Sequence, residues 1–374
     1  MGSVKKNKYL LTIFVALFLC LTVRPVFAGK YYSLEEFIQE NPNEEVKLKS
    51  FNRLVKRNIV AKIKNNLKVK ISIVYPGNQI SDYWRRSYKA FDKRIKQYGI
   101  KTEINSFFMS PTDPLHIQRK ILKQALKTNP DYLIFTLDAL RHQRMIEPLL
   151  IRNKPRVILQ NITTPLKAWN DKQPLMYIGF DHETGSIKLA QQYANKTGGK
   201  GKYAVLLPSP GYLSEERGKS FTTWLDANTE LELVTVYQTG INKQKSRRAT
   251  LKIVKEHPDI SFIYACSTDI ALGAVEALKE KSLLGKIMVN GWGGGSPELQ
   301  AIKNGELDFT IMRINDDNGI AMADAIILDL LGQTKRLPLI YSGRLMLIGK
   351  DIDPINLEQL QRESFRYSGF SGKD

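Results

Sequence analysis

The chain has 374 residues, 56 of them Lys or Arg against 37 Asp or Glu, for a formal net charge of +19. At 43% hydrophobic and 25% charged it has ordinary globular proportions and enough length for two domains with separate cores. Two cysteines exclude a disulfide framework, and four scattered histidines (His116, His142, His182 and His257) have no zinc-type spacing.

Residues 1–28 read as a secretory signal peptide. Lys5, Lys6 and Lys8 precede an apolar run over 9–23, and Val26-Phe27-Ala28 forms a small-x-small cleavage site. The run is short for a membrane span and is closed by Arg24 and Pro25. Cleavage after Ala28 would deliver the chain to the periplasm with Cys266 as its sole thiol. Residues 29–68 form an extension. Ser33 and Glu36 make a capping box that opens a short helix, which Pro42 ends. Residues 46–70 then carry nine basic residues and no acid. They read as a solvated face or linker, with an anionic surface or partner as the sharper alternative. Export and thin aromatic content argue against nucleic acid.

From residue 69 short apolar runs alternate with helix-period segments, the pattern of a parallel sheet. Strands are predicted at 69–75, 102–107, 131–137 and 157–160, with helices between them. A looser stretch over 162–174 leads to a second series of strands at 176–180, 204–207, 232–237, 262–266 and 287–289. A strand at 309–312, a helix at 319–331, a return over 338–348 and a helix at 354–364 complete the chain. The fold class is α/β: two doubly wound parallel-sheet domains joined by a hinge. The expected domains are 69–172 with 312–335, and 173–311 with 336–374.

Ligands of such sheets sit beyond the carboxyl ends of the strands, so the residues there are the candidates. Gln79, Ser81 and Trp84 follow the first strand, although taken alone they also read as turn, helix cap and core aromatic. Thr136 and Asp138 end the third, and Asn161 ends the fourth. In the second series Ser267, Thr268 and Asp269 follow the apolar run 262–266, and Trp292 lies in a glycine-rich turn, 290–296. Arg313 directly follows an apolar run, whereas Arg217 by itself reads as solvated. The glycine-rich turn lacks P-loop and G-x-G-x-x-G spacing. No nucleophile elbow or H-E-x-x-H is present, and aspartates at strand ends suit sugar hydroxyls better than acid–base chemistry. An enzyme is not expected.

At these residues the sequence resembles the ribose-binding-like periplasmic binding proteins, and among them the LuxP-type receptors for the quorum-sensing signal autoinducer-2. The resemblance covers essentially all of the chain after the signal peptide and is most specific at 74–84, 133–138, 159–165, 262–278, 290–296 and 313–323. It implies a type I periplasmic binding protein fold with a ligand cleft between the domains. It also implies the ligand set Gln79, Ser81, Trp84, Thr136, Asp138, Asn161, Arg217, Ser267, Thr268, Asp269, Trp292 and Arg313. The implied ligand is a furanosyl borate diester, so that boron enters as part of the ligand and no resident cofactor is needed. The implied partner is a membrane sensor histidine kinase of LuxQ type. Departures from the resemblance fall in 46–70 and at Pro208-Ser209-Pro210. The competing reading is a pentose-binding subunit of an ABC-type uptake system, with the same fold.

Overall fold

The computed structural model describes residues 30–63, 68–136 and 139–369. The predicted signal peptide and Asp138 lie outside these residues. No helix among the described residues is long and apolar enough to cross a membrane.

The capping box forms as predicted: Ser33 Oγ accepts the Glu36 N–H, and the Glu36 carboxylate accepts the Ser33 N–H, opening α1 (Leu34–Glu40). Helix α1 stops at Glu40, just before Pro42, as predicted, but Pro42 does not end helical structure. It opens a second helix, α2 (Pro42–Val55), at a position where a missing N–H costs nothing. That helix is no mere linker, because its Phe51 and Val55 are buried in the first core. Two of the basic residues of 46–70, Lys47 and Lys49, pair with Glu44 and Glu45.

The first lobe then runs β1 (Lys68–Tyr75), α3 (Tyr83–Gln97), β2 (Lys101–Phe108), α4 (Leu115–Lys127), β3 (Tyr132–Thr136), α5 (Ala139–Arg152), β4 (Arg156–Gln160) and β5 (Met176–Phe180). The second lobe follows with α6 (His182–Thr197), β6 (Lys200–Leu207), a π-helical turn over Ser214–Lys219, α7 (Ser220–Asn228) and β7 (Glu230–Gln238). It continues through α8 (Lys243–Glu256), β8 (Ile260–Ala265), α9 (Thr268–Glu280), β9 (Met288–Gly293), α10 (Ser296–Lys303) and β10 (Phe309–Arg313). Helix α11 (Asp316–Leu330) returns to the first lobe and packs on α3. Last come β11 (Ile340–Gly343), β12 (Leu345–Gly349) and α12 (Pro354–Ser364).

These strands form two six-stranded sheets, ordered β11-β5-β4-β3-β1-β2 and β12-β10-β9-β8-β6-β7. All named pairings are parallel except β10 with β12. Strand β5 pairs with β4, so it closes the first sheet rather than opening the second, as the domain boundary at 173 had it. Likewise β11 joins the first sheet beside β5, and β10 through Arg313 belongs to the second. Apolar alternation fixes that these segments are strands but not which sheet takes them. The chain therefore crosses between lobes after β5, after β10, and between β11 and β12. Strand β9 also runs on through Gly293, where the sequence reading placed a turn from residue 290.

Two features hold the crossings in place. Arg94 of α3 and Asp324 of α11 form a fully buried ion pair, Nε to Oδ1 2.7 Å, and the guanidinium also donates to the carbonyls of Leu54 and Arg57 in the extension. At the C-terminus, α12 packs into the second core through Leu357, and Phe365 follows it there. The tail beyond is held by the first lobe. Asp316 Oδ2 accepts the N–H groups of Tyr367 (2.6 Å) and Ser368 (2.7 Å), Arg366 pairs with Asp317 at 2.6 Å, and Arg86 donates to Gly369 O at 2.7 Å.

Candidate functional site

The carboxyl ends of the two sheets face a shared cavity of about 130 Å³. The loop after β1 contributes Gln79 and Ser81, and the start of α3 contributes Tyr83 and Trp84. The end of β3 contributes Thr136, and Asn161 follows β4. From the second lobe come Arg217, Ser267, Thr268, Trp292 and Arg313. Ten of the twelve expected ligand residues thus line one cavity, from elements far apart in sequence.

The hydroxyls of Thr136 and Ser267 and the amide oxygen of Asn161 are buried and have no hydrogen-bond partner among the described residues. Such groups cost stability unless something pairs with them, and all three belong to cavity-lining residues. Trp84 packs against Tyr75 and Tyr83, with ring centroids at 5.0 and 4.6 Å. Trp292 is fixed at its far edge by an indole N–H donated to Ser186 Oγ at 3.2 Å.

The two arginines set the electrostatics. The π-helical turn delivers Arg217 inward, and irregular helical turns of this kind recur at functional sites. Its guanidinium lies over the Trp292 ring at 3.5 Å, donates to Cys266 O at 2.7 Å, and donates through Nε to His182 Nδ1 at 3.3 Å. Arg313, at the end of β10, lies over Tyr83 at 3.9 Å and donates to Gly293 O at 3.3 Å. Neither is in an ion pair with a carboxylate among the described residues. Burial, and then the neighbouring charge of Arg313, push Arg217 down to about 9, and burial also lowers Arg313. Two buried cations in one cavity, each held against rings and neutral acceptors, favour a guest that brings negative charge.

Asp269 departs from its expected role. It is not among the cavity-lining residues. From the first turn of α9 its carboxylate reaches across to the other lobe and accepts the N–H groups of Ile80 (3.0 Å) and Ser81 (3.2 Å). An ionised carboxylate can only accept, and two backbone amides of the facing lobe supply the donors. A second contact between lobes lies nearby, where Arg86 donates to Ser296 Oγ at 2.7 Å and Asp82 accepts the Ser296 N–H at 3.3 Å.

Several lining residues carry no signal in the sequence. Gln118 and His142 form a 2.5 Å hydrogen bond at one wall, and Tyr212 adds a ring at another. Their helices were legible, but nothing marks which of their faces meets the cavity. Tyr83 could have been found, since it stands beside Trp84 at the strand-to-helix junction.

A model of the periplasmic binding protein domain matches residues 71–334. The chain belongs to this periplasmic binding protein family. The ribose import binding protein of Bacillus subtilis is 31% identical over 136 residues, 36% of this chain and 43% of that protein. Its Escherichia coli counterpart is 26% identical over 156 residues, 40% of this chain and 52% of that protein. The chain thus spans about half the length of these curated relatives. Among solved structures, a glucose-galactose binding protein from Geobacillus stearothermophilus superposes with a TM-score of 0.67 at 18% identity, covering 76% of this chain and 99% of that one. A solute binding protein from Agrobacterium vitis bound with α-D-tagatopyranose gives 0.69 at 16%, covering 78% and 98%. These likenesses establish the type I periplasmic binding protein fold expected from the sequence.

Proposed function

We propose that this periplasmic binding protein is an exported receptor that encloses one small, polyhydroxylated, anionic ligand, and that the ligand is autoinducer-2 as its furanosyl borate diester. The observation that carries this reading is the pair Arg217 and Arg313, buried in one cavity without a carboxylate among the described residues. A tetrahedral borate is an anion whose oxygens would accept charge-assisted hydrogen bonds from both guanidiniums. The unpaired groups of Thr136, Asn161 and Ser267 suit the furanose hydroxyls, and Trp84 and Trp292 suit its apolar faces. An uncharged sugar would leave the two cations facing each other, which disfavours closure. Closure then becomes the signal, passed to a membrane sensor histidine kinase of LuxQ type, provided the ligand binds the closed form more tightly than the open one.

One observation favours a second reading. The matched relatives are ribose import proteins, and the D-allose-binding periplasmic protein of Escherichia coli is 21% identical over 243 residues. On that reading the protein is the pentose-binding subunit of an ABC-type uptake system.

What the purified protein carries separates the two. It is produced in cells that make autoinducer-2 and in cells lacking the synthase, denatured, and the released material assayed by reporter response and boron NMR. Signal and boron from the first preparation alone support the receptor reading. Signal without boron removes the borate argument. A neutral pentose moves the assignment to uptake.

A further inference from the structure

His182 sits where the chain leaves β5 of the first lobe and begins α6 of the second, and only 1% of it is exposed. Its Nδ1 receives the Nε–H of Arg217 at 3.3 Å, and its Nε2 lies 3.1 Å from the carbonyl oxygen of Asn161. A guanidinium can only donate and a carbonyl can only accept. The ring must therefore be the neutral tautomer with Nδ1 bare and the proton on Nε2. Its two partners are both cavity residues, one from each lobe. Its faces and edges are fixed by Trp292 at 5.3 Å and Tyr212 at 5.7 Å, which also line the cavity.

We propose that His182 is a positioning residue that aims the Arg217 guanidinium into the cleft and ties that aim to the Asn161 backbone across the lobe crossing. It does not line the cavity itself. Arg217 has one terminal donor committed to Cys266 O and its Nε committed to the imidazole, so the side chain is held at two points before any ligand arrives. Such pre-ordering spares the ligand the entropy of fixing a long side chain. Asn161 holds φ +67°, a left-handed conformation uncommon for a residue with a side chain, and the hydrogen bond from Nε2–H to its carbonyl helps hold it there. The proposal rests on the reading that Arg217 contacts the ligand.

The test uses the full-length mature protein titrated with synthetic autoinducer-2 precursor in borate buffer, with ribose in parallel. Three variants divide the ring's functions. His182→Phe keeps the shape and removes both nitrogens, His182→Asn can restore the acceptor for Arg217, and His182→Gln can restore the donor to Asn161. His182→Phe should weaken binding about tenfold, as loss of one buried hydrogen-bonded tether implies, and His182→Asn should recover part of that loss. Nitrogen NMR of the wild-type ring should show Nδ1 unprotonated and Nε2 protonated, a signature that a space-filling role would not require. Wild-type affinity in His182→Phe, or the opposite tautomer, would overturn the proposal. Arg217→Ala separates this failure from failure of the parent reading: if it too binds as wild type, Arg217 is not a ligand residue and both ideas fall. If only His182→Phe binds normally, the positioning role alone is lost.

Discussion

The Asp269 carboxylate of the second lobe accepts the backbone N–H of Ser81 in the first, at 3.2 Å. With the companion bond from Ile80 this makes a clasp at the cleft that exists only when the lobes are together. Asp269→Asn can accept with one oxygen where the carboxylate accepts with two, and it carries no charge. The ligand-bound form should open more readily, with affinity falling about three- to tenfold, the scale of one or two modest hydrogen bonds. Small-angle scattering should show less compaction on ligand addition. Equal compaction and equal affinity would mean the clasp is incidental.

Arg217 and Arg313 should behave alike in binding and unlike ordinary core residues in stability. Either changed to Ala should lower affinity for the borated ligand by at least about a hundredfold, the loss of a charge-assisted contact. Each cation is buried beside the other, so removing one also relieves repulsion in the empty protein. The thermal midpoint without ligand should stay at or near wild type. A variant that lost binding by unfolding would show a large drop in that midpoint instead.

Arg94 and Asp324 predict a stability effect with no bearing on ligand chemistry. Arg94→Met leaves a carboxylate buried without its cation and should cost about 3–5 kcal/mol in denaturant unfolding. Adding Asp324→Leu to the same chain should return much of that loss, because an apolar pair of similar volume does not need desolvated charge. Additive rather than compensating effects would contradict the pairing seen between α3 and α11.

Glu216 gives a pH dependence. Burial first, then Glu183, Asp181 and Glu215, push its carboxyl up from 4.5 to about 7. The folded state therefore holds this proton more tightly than the unfolded chain. The associated stability is complete below the ordinary glutamate range and is lost as pH rises through about 7. Glu216→Gln, which stays uncharged, should melt higher than wild type near pH 8 and about equally near pH 4. An offset that does not vary with pH would show that the substitution acts through packing alone.

The sequence made the strand-end chemistry readable because apolar runs stop where polar residues begin, as at Ser267 after β8 and Arg313 at the end of β10. It could not show that β5 and β11 share a sheet. That depends on crossings at Phe180 and Gly343 that leave no periodic trace. The clasp of Asp269 was hidden for a similar reason: an aspartate in the first turn of α9 looks the same whether its partner is a sugar hydroxyl or an amide 188 positions away. Arg217 was legible as a site residue only through resemblance, since a π-helical turn, rather than any pattern of hydrophobicity, points it inward. His182 escaped notice because its importance lies in two neighbours remote in sequence.

Helix α12 packs in the second lobe while Arg366, Tyr367 and Ser368 are anchored to the first. The three residues after Phe365 thus tie the two lobes together like a tendon, away from the ligand residues. A change in the separation of the lobes has to stretch or release these contacts, so a substitution at 366–368 would act on closure without touching the ligand residues.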